Sequence, residues 1–342
     1  MLKLKSLFLN DFLPLAAAVS LTQCGNRANL QNTYLMAQGY AQGTTWHITY
    51  KSFNGEDLAP VFDSLLKAFD YSMSAYNPES QLSQINNGAD IVVDKFFTDI
   101  FNNSVYLNKI SGGAFDPTVS PLVSAWGFGK HKDMRRPSQN ELDSILQFVG
   151  LGKVSLQDGK VVKTDPRIKL IFNANAQGYS VDIICQWFLD NGYTDFLVEV
   201  GGETRAFGLN RNGIPWRVGI DSPIDGSTEE DREIQAVVSL TDGKSLCTSG
   251  NYRNFFVEDG VKYSHELDPV TGCPKRDSLL SVAIIAESGV MSDGLATTVM
   301  VLGYDKGFRL VDSLPGTEGY FIYSDRRGGF LVSMTPGFVA EQ

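Results

Sequence analysis

Basic charge is scarce in this chain of 342 residues, where 29 Lys and Arg stand against 39 Asp and Glu for a net charge of −10. A nucleic-acid partner needs clustered Lys and Arg along its phosphates, so that class is excluded, and the plain reading of the acidity is solubility. Cysteine is scarce as well: there are 4, with no C-x-x-C spacing. That is a poor disulfide framework, and Cys185 and Cys247 read as small buried hydrophobes. Neither G-x-G-x-x-G nor a Walker A sequence occurs, so no nucleotide fingerprint can be read directly. Beyond the first two dozen residues no apolar stretch is long enough to span a bilayer. Repeats and low-complexity segments are absent.

What is present fits an ordinary globular protein, with 43% hydrophobic and 20% charged residues. That balance can fill the core of one large domain or two interlocked α/β lobes. The N-terminus is different. Lys3 and Lys5 precede a short apolar stretch from Leu7 to Leu15, interrupted by Asn10 and Asp11, and then small residues from Ala16 to Val19. This pattern describes a secretory signal. Its Leu21-Thr22-Gln23-Cys24 ending resembles a bacterial lipobox, in which the cysteine is lipidated and becomes the first residue. The expected organisation is a signal peptide over 1–23, a polar tether over 24–36 and one functional domain over 37–342. The expected location is the periplasmic side of the cell envelope, held to a lipid bilayer through Cys24.

Periodicity predicts helices over 57–71, 97–111, 136–149, 179–191, 293–302 and 305–313. Ser138 and Glu141 fit a capping box for the third. Strand patterns fall at 44–50, 161–162, 169–172, 196–200, 217–220, 234–240, 281–286 and 320–323. Strands and helices mix without strict alternation, which predicts an α+β fold rather than a doubly wound sheet.

Five clusters carry chemistry. They are Gly43-Thr44-Thr45-Trp46; Ser74-Ala75-Tyr76-Asn77-Pro78-Glu79-Ser80; and Gly113-Ala114-Phe115-Asp116-Pro117-Thr118 with Trp126-Gly127-Phe128-Gly129. The fourth is Asn173-Ala174-Asn175-Ala176-Gln177-Gly178-Tyr179, followed by Gly201-Gly202-Glu203. The fifth joins Ser249-Gly250-Asn251-Tyr252-Arg253, Ser264-His265-Glu266-Leu267-Asp268-Pro269-Val270-Thr271-Gly272 and Ser292-Asp293-Gly294-Leu295-Ala296-Thr297-Thr298. Singly, each has a bland reading: Asp-Pro and Thr-Gly pairs are turn chemistry, and Asp293 fits a helix N-cap. Asp293 and Thr297 lie four apart at an expected helix start, which puts both oxygens on one face. His265 is one of only 3 histidines, a residue type suited to general-base work near neutral pH.

In their order, these motifs resemble the ApbE family of flavin transferases (FAD:protein FMN transferases), from about Gly39 to the C-terminus. S-G-N-Y-R, S-H-E-L-D-P-V-T-G and S-D-G-L-A-T-T match the family's S-G-x-Y-x, H-x-x-D-P-x-T-G and A-D-x-x-A-T. The sequence departs from the family where Ile171 replaces an aspartate, Gln177 a lysine and Gln42 a methionine. The change at Gln177 keeps a hydrogen-bond donor and removes a positive charge.

The resemblance implies two interlocked α/β lobes with mixed sheets and a flavin site between them, an ApbE-like, T-fold-related architecture. It implies transfer of FMN from FAD to a Ser or Thr hydroxyl of a target protein, with release of AMP. Magnesium (Mg2+) would be held by Asp293, Thr297 and the backbone carbonyl of Ala174, an all-oxygen set that suits this hard cation. His265 would be the catalytic base. Tyr76, Phe115 and Tyr252 are candidates to line or stack on the rings of FAD. Gln42, Ala114, Asp116 and Gln177 would complete the contacts to FAD. The implied partner is an acceptor protein with a Ser/Thr flavinylation motif, a subunit of a membrane redox pump. Glu203 and Arg205 follow a Gly-Gly turn and read as structural. Two other classes stay open: a hydrolase that cleaves FAD to FMN and AMP, and a flavin-binding lipoprotein without activity.

Overall fold

The computed structural model describes residues 33–129, 133–227, 231–325, 327 and 329–341. Cys24, the signal-like segment and most of the tether lie outside the described residues. The described residues begin with a hairpin, β1 (Tyr34–Ala41) and β2 (Thr44–Lys51), so the last residues expected to be tether are strand. Gln42 and Gly43 form its turn with φ of 53° and 78°, the two positive values that a tight hairpin matching strand twist requires. Three helices follow: α1 (Ala59–Met73), α2 (Gln81–Asn86) and α3 (Lys95–Ile110). Next come α4 (Ser120–Ala125) and α5 (Gln139–Leu146), the latter opened by the expected Ser138/Glu141 capping box. A small ribbon, β3 (Val154–Gln157) and β4 (Lys160–Lys163), leads to α6 (Ala176–Asp190).

The second half opens with β5 (Phe196–Val200), β6 (Glu203–Phe207), β7 (Trp216–Asp221) and β8 (Ile234–Leu240). Then come β9 (Ser245–Gly250), β10 (Phe255–Glu258), β11 (Val261–Ser264) and β12 (Leu279–Ala286). The chain closes with α7 (Gly289–Leu302), α8 (Tyr304–Asp312), β13 (Glu318–Ser324) and β14 (Phe330–Met334).

One eight-stranded sheet in the order β1-β2-β5-β6-β9-β12-β13-β14 organises the molecule. The α+β expectation holds. The sheets are not mixed in strand direction, because every described pairing is antiparallel. Tight hairpins such as β1–β2 and β5–β6 impose that direction, and the helical excursions return each strand against its neighbour.

Alternation along the strands assigns the two faces of the sheet. Trp46, Ile48 and Tyr50 of β2, with Phe196, Val198 and Val200 of β5, pack on Phe62 of α1 and on Val181, Ile184 and Phe188 of α6. Val282, Ile284 and Phe321 meet Leu295 and Val299 of α7 on the same side. Ala283, Tyr320 and Ile322 point the other way, against the β7–β8 ribbon. A second lobe is built around Phe69, Leu82, Phe97, Ile100 and Phe172. Among the described residues no helix is long and apolar enough to cross a membrane.

Two local expectations are corrected. Residues 169–172 are not a strand, although Leu170 and Phe172 are buried. Their backbone is satisfied elsewhere: Leu170 exchanges hydrogen bonds of 2.8 Å with the Asn86 side chain, and Ile171 N donates to Pro117 O at 2.8 Å. The helix expected to start at Asp293 begins at Gly289, so Asp293 lies a full turn inside it and is not its cap. Asp182 of α6 accepts from Gly289 N and Val290 N at 2.7 and 2.9 Å, satisfying orphan donors of α7 from another helix. Arg205 pairs with the same carboxylate at 2.7 Å, a structural role as expected.

Candidate functional site

The crossing of α6 and α7 sets the geometry of the site. A Cβ on Gly178 would lie 2.2 Å from Gly289 O, and one on Gly289 would lie 2.1 Å from Gly178 O. Only glycine at both positions lets the backbones approach this closely. The approach lets Gly178 N donate to Asp293 Oδ2 at 2.9 Å. One turn further along α7, Thr297 Oγ1 stands 3.5 Å from Ala174 O, presented by the turn that precedes α6. The three expected metal-binding residues are therefore brought together.

Asp293 is 4% exposed. Burial raises its pKa to about 8, with the nearby Asp182 adding to the rise and the Gly178 bond opposing it. Glu203 lies in the same pocket and is also raised well above the usual carboxylate range, first by burial and then by Asp293 and Glu199. Asp293 thus adds to the rise of Glu203, while Arg253 opposes it. Sequence reasoning set Glu203 aside. Its Gly-Gly-Glu turn had a local explanation, and no sequence spacing shows that it meets Asp293.

Three cavities of about 310, 740 and 300 Å3 run together here. Asn173 and Asn254 line all three, while His265 and Thr297 line the first and third. The first holds Tyr76, Ala114, Phe115, Asp116 and Ala174. The second holds Gln42 and Gln177 and also Tyr76. The third holds Gln177, Tyr252 and Asp293, together with Glu199, Glu203 and Asp221 against Arg232 and Arg253. All the expected site residues within the described chain thus border one branched cleft.

Within that cleft their surroundings differ. Tyr76 is 46% exposed, and its hydroxyl accepts from Asn173 Nδ2 at 3.3 Å, so its ring is free to meet a ligand. Phe115 is buried among Leu107, Leu295 and Val299, which makes it chiefly a core residue that forms a wall. Tyr252 is also buried, packed over Gly250, where a Cβ would strike its ring at 2.4 Å. Gln42 has a buried Nε2 with no hydrogen-bond partner among the described residues.

Asp116, expected to contact the ligand, is committed elsewhere. Its Oδ1 accepts from Thr118 N and Oγ1 at 2.8 and 2.5 Å, and its Oδ2 from Leu151 N at 2.8 Å. It caps the turn that shapes the wall. Phe128, part of the third sequence cluster but given no role there, lines two of the cavities and sets its ring 6.3 Å from that of His265.

His265 follows β11 directly and is tied down at the base of the β10–β11 ribbon, where its N donates to Asn254 O at 3.2 Å. Its Nδ1 lies 3.2 Å from the same carbonyl. A carbonyl only accepts, so Nδ1 carries the proton and Nε2 keeps the basic lone pair. The following Asp-Pro-Val-Thr-Gly is turn chemistry, as its bland reading had it. Asp268 Oδ1 accepts from Val270 N at 2.8 Å, and Gly272 O accepts from Trp126 Nε1 at 2.7 Å.

The residues fit a divalent cation. One carboxylate, one hydroxyl and one carbonyl form an oxygen-only set at the edge of an acid-lined cavity. Among the described residues no three His, Cys, Asp or Glu side chains form a metal cluster, so a cation here would complete its shell with ligand or water oxygens.

The family model described as "ApbE family" matches residues 42–321. The FAD:protein FMN transferase of Vibrio cholerae is 33% identical over 283 residues, covering 80% of this chain and 83% of that protein. The solved structure of the flavin transferase ApbE from Vibrio cholerae aligns with a TM-score of 0.78 at 30% identity, over 90% of this chain and 98% of that one. The apo flavinyl transferase ApbE of Pseudomonas stutzeri aligns with a TM-score of 0.79 at 30% identity, covering 90% and 96%. With its motifs in order, its fold aligned with these structures over 90% of its length and the family model spanning most of the sequence, the chain belongs to the ApbE family.

Proposed function

We propose that this protein transfers the FMN half of FAD to a Ser or Thr hydroxyl of an acceptor protein, with magnesium, and releases AMP. The observation that carries this reading is one cleft that joins a histidine with a basic Nε2 to an acid-lined cavity holding Asp293, Thr297 and Ala174 O. A pyrophosphate would be repelled by those acids unless a cation came with it. The Vibrio cholerae relative carries the same activity in its name.

Asp293, Thr297 and the Ala174 carbonyl would hold the cation. When bound, it neutralises charge on the pyrophosphate during phosphoryl transfer. His265 takes the proton of the acceptor hydroxyl at Nε2. The hydroxyl oxygen then bonds to the FMN phosphorus as the bond to the AMP oxygen breaks. Tyr76 and the buried Phe115 and Tyr252 border the ring-binding walls, and Gln42 and Gln177 supply donors. Phe128 beside His265 helps exclude water, which favours the acceptor hydroxyl over hydrolysis.

The test is incubation with FAD, magnesium and a candidate acceptor domain from a membrane redox pump, read by intact-protein mass. A gain of one FMN on the acceptor is expected. Free FMN without that gain would make the protein a hydrolase, and no FAD turnover would overturn the reading.

The same reading places the protein on the periplasmic side of a membrane, anchored by lipid on Cys24. It rests on Leu21-Thr22-Gln23-Cys24. Cys24→Ala protein should leave the membrane fraction; if it stays there entirely, the anchor is wrong.

A further inference from the structure

Glu266 follows His265 in the chain, but the two side chains live in opposite settings. The His265 side chain is 42% exposed and that of Glu266 only 4%. Neither carboxylate oxygen of Glu266 reaches solvent or finds a hydrogen-bond partner among the described residues. An unpartnered buried carboxylate works against folding, and an apolar residue in its place would be expected to stabilise the protein. A group held at such a cost needs a reason beyond packing.

The reason lies in its nearest charged neighbour. Glu266 Oε2 is 3.5 Å from His265 Nδ1, close enough for a charge pair and long for a hydrogen bond. Catalytic hydrogen bonds are often this long without substrate and tighten when it binds. The same Nδ1 faces Asn254 O at 3.2 Å. Carbonyl and carboxylate both accept, so both favour the tautomer with the proton on Nδ1 and the lone pair on Nε2. Phe128 also faces the ring and brings no charge, while the charged residues that share the third cavity with His265 are Glu199, Glu203, Asp221, Asp293, Arg232 and Arg253. Glu266 borders the first cavity beside His265, with both carboxylate oxygens shielded from solvent.

We propose that Glu266 is a positioning residue for His265: its carboxylate holds the imidazole in the reactive tautomer and stabilises the imidazolium formed during transfer. In that step the acceptor O–H bond breaks and an N–H bond forms at Nε2. The ring becomes a cation, and the buried carboxylate beside Nδ1 becomes its counter-charge. The proposal rests on the reading of His265 as the base.

Glu266→Gln and Glu266→Leu test it in the full-length protein. In the first variant the counter-charge is lost, and the amide nitrogen turned to Nδ1 competes with Asn254 O for the ring and favours the unreactive tautomer. Transfer should slow about 10²-fold, with FAD affinity unchanged. Glu266→Leu, which imposes nothing, should slow transfer about 10-fold and raise the melting temperature. Nitrogen NMR of the histidine rings, of which there are 3, should show the Nδ1–H form of His265 in the parent and its loss in Glu266→Gln. In a His265→Ala background, neither substitution should slow transfer further.

Parental tautomer and parental rate in Glu266→Gln would overturn the proposal. So would a rate loss of the same size in the His265→Ala background, since Glu266 would then act by another route. Should His265→Ala transfer FMN as fast as the parent, the base assignment is what fails; the tautomer spectrum then decides separately whether the pair exists. If Glu266→Gln does not fold, Glu266→Leu carries the same comparison.

Discussion

The two sides of the cleft are built by opposite means. The cation side is made by two helices in backbone contact at Gly178 and Gly289, with Asp182 satisfying the start of α7 and Gly178 N fixing Asp293. The base side is a two-stranded ribbon and a turn, held by Asn254, Asp268 and the Trp126 bond to Gly272. A hard cation tolerates little error in the placement of its oxygens, and helices packed at glycine leave little. An acceptor protein has to reach the histidine, and an exposed loop on a small ribbon leaves that approach open. On the proposed function, the rigid side would set where the phosphates sit and the open side what reaches them.

The largest effect should come from removing charge on the rigid side. Asp293→Asn keeps the shape and the acceptor for Gly178 N but loses the negative charge a cation needs. Transfer should fall to background, and magnesium should no longer strengthen FAD binding, as calorimetry can measure. Undiminished magnesium-dependent turnover would put the cation elsewhere. On the open side, His265→Ala should slow transfer by roughly 10²–10⁴-fold while FAD still binds. Wild-type transfer rates in that variant would leave the base side without its base. The two variants separate the halves: one loses the metal dependence, the other keeps it.

Gly289→Ala asks how rigid the helix crossing is. Its methyl group would land 2.1 Å from Gly178 O, a backbone atom that can move only with its helix. Overpacking of this kind costs about 1–3 kcal/mol, and denaturant unfolding should show it. The shifted α7 should also weaken metal-dependent FAD binding. Parental stability together with parental binding would mean that the crossing is soft and that the contrast between the two sides is overstated.

Much of this was legible in the sequence because the motifs are local and the helices are strongly periodic. The segments 196–200 and 234–240 have the bounds that alternation predicted. What was hidden depends on contacts between distant segments. The strand β1 escaped because it is an edge strand whose Met36 and Tyr40 are each 71% exposed, so it lacks an apolar alternation. The start of α7 escaped because its first N–H groups are satisfied by Asp182, more than a hundred residues earlier, and no cap at Ser288 advertises it. Residues 169–172 look like a strand because they are apolar, yet they are buried with the Asn86 amide in place of a ladder. Asp116 was recognisable as a motif residue, but only its three bonds to Thr118 and Leu151 reveal that it braces a turn. The departure at Gln177 still borders the cleft, with its amide beside Gly201, so the position is retained while the charge is lost.

The smallest effect, and the one that isolates the cation side without chemistry, is in stability against pH. Burial first, and then Asp182, raise the Asp293 carboxyl to about 8 in the folded chain, against the lowering effect of the Gly178 bond. In the unfolded chain it returns to the ordinary aspartate value of about 3.9. Between those two values the folded protein holds a proton that the unfolded protein has lost. Stability without metal must therefore fall as pH rises through this window, and level off above about 8. Glu203, raised by burial and by Asp293, pushes in the same direction. A cation reverses the effect by favouring the charged carboxylates. In chelator, the melting temperature should decline between about pH 5 and pH 8, and magnesium with FAD should shrink that decline. Asp182 is also raised by burial, so the parent alone cannot assign the effect. Asp293→Asn has no proton to lose and should flatten much of the slope while leaving the Asp182 contribution in place. If the slope is unchanged in Asp293→Asn, the acid-lined pocket is not where the rigid side stores its demand for positive charge.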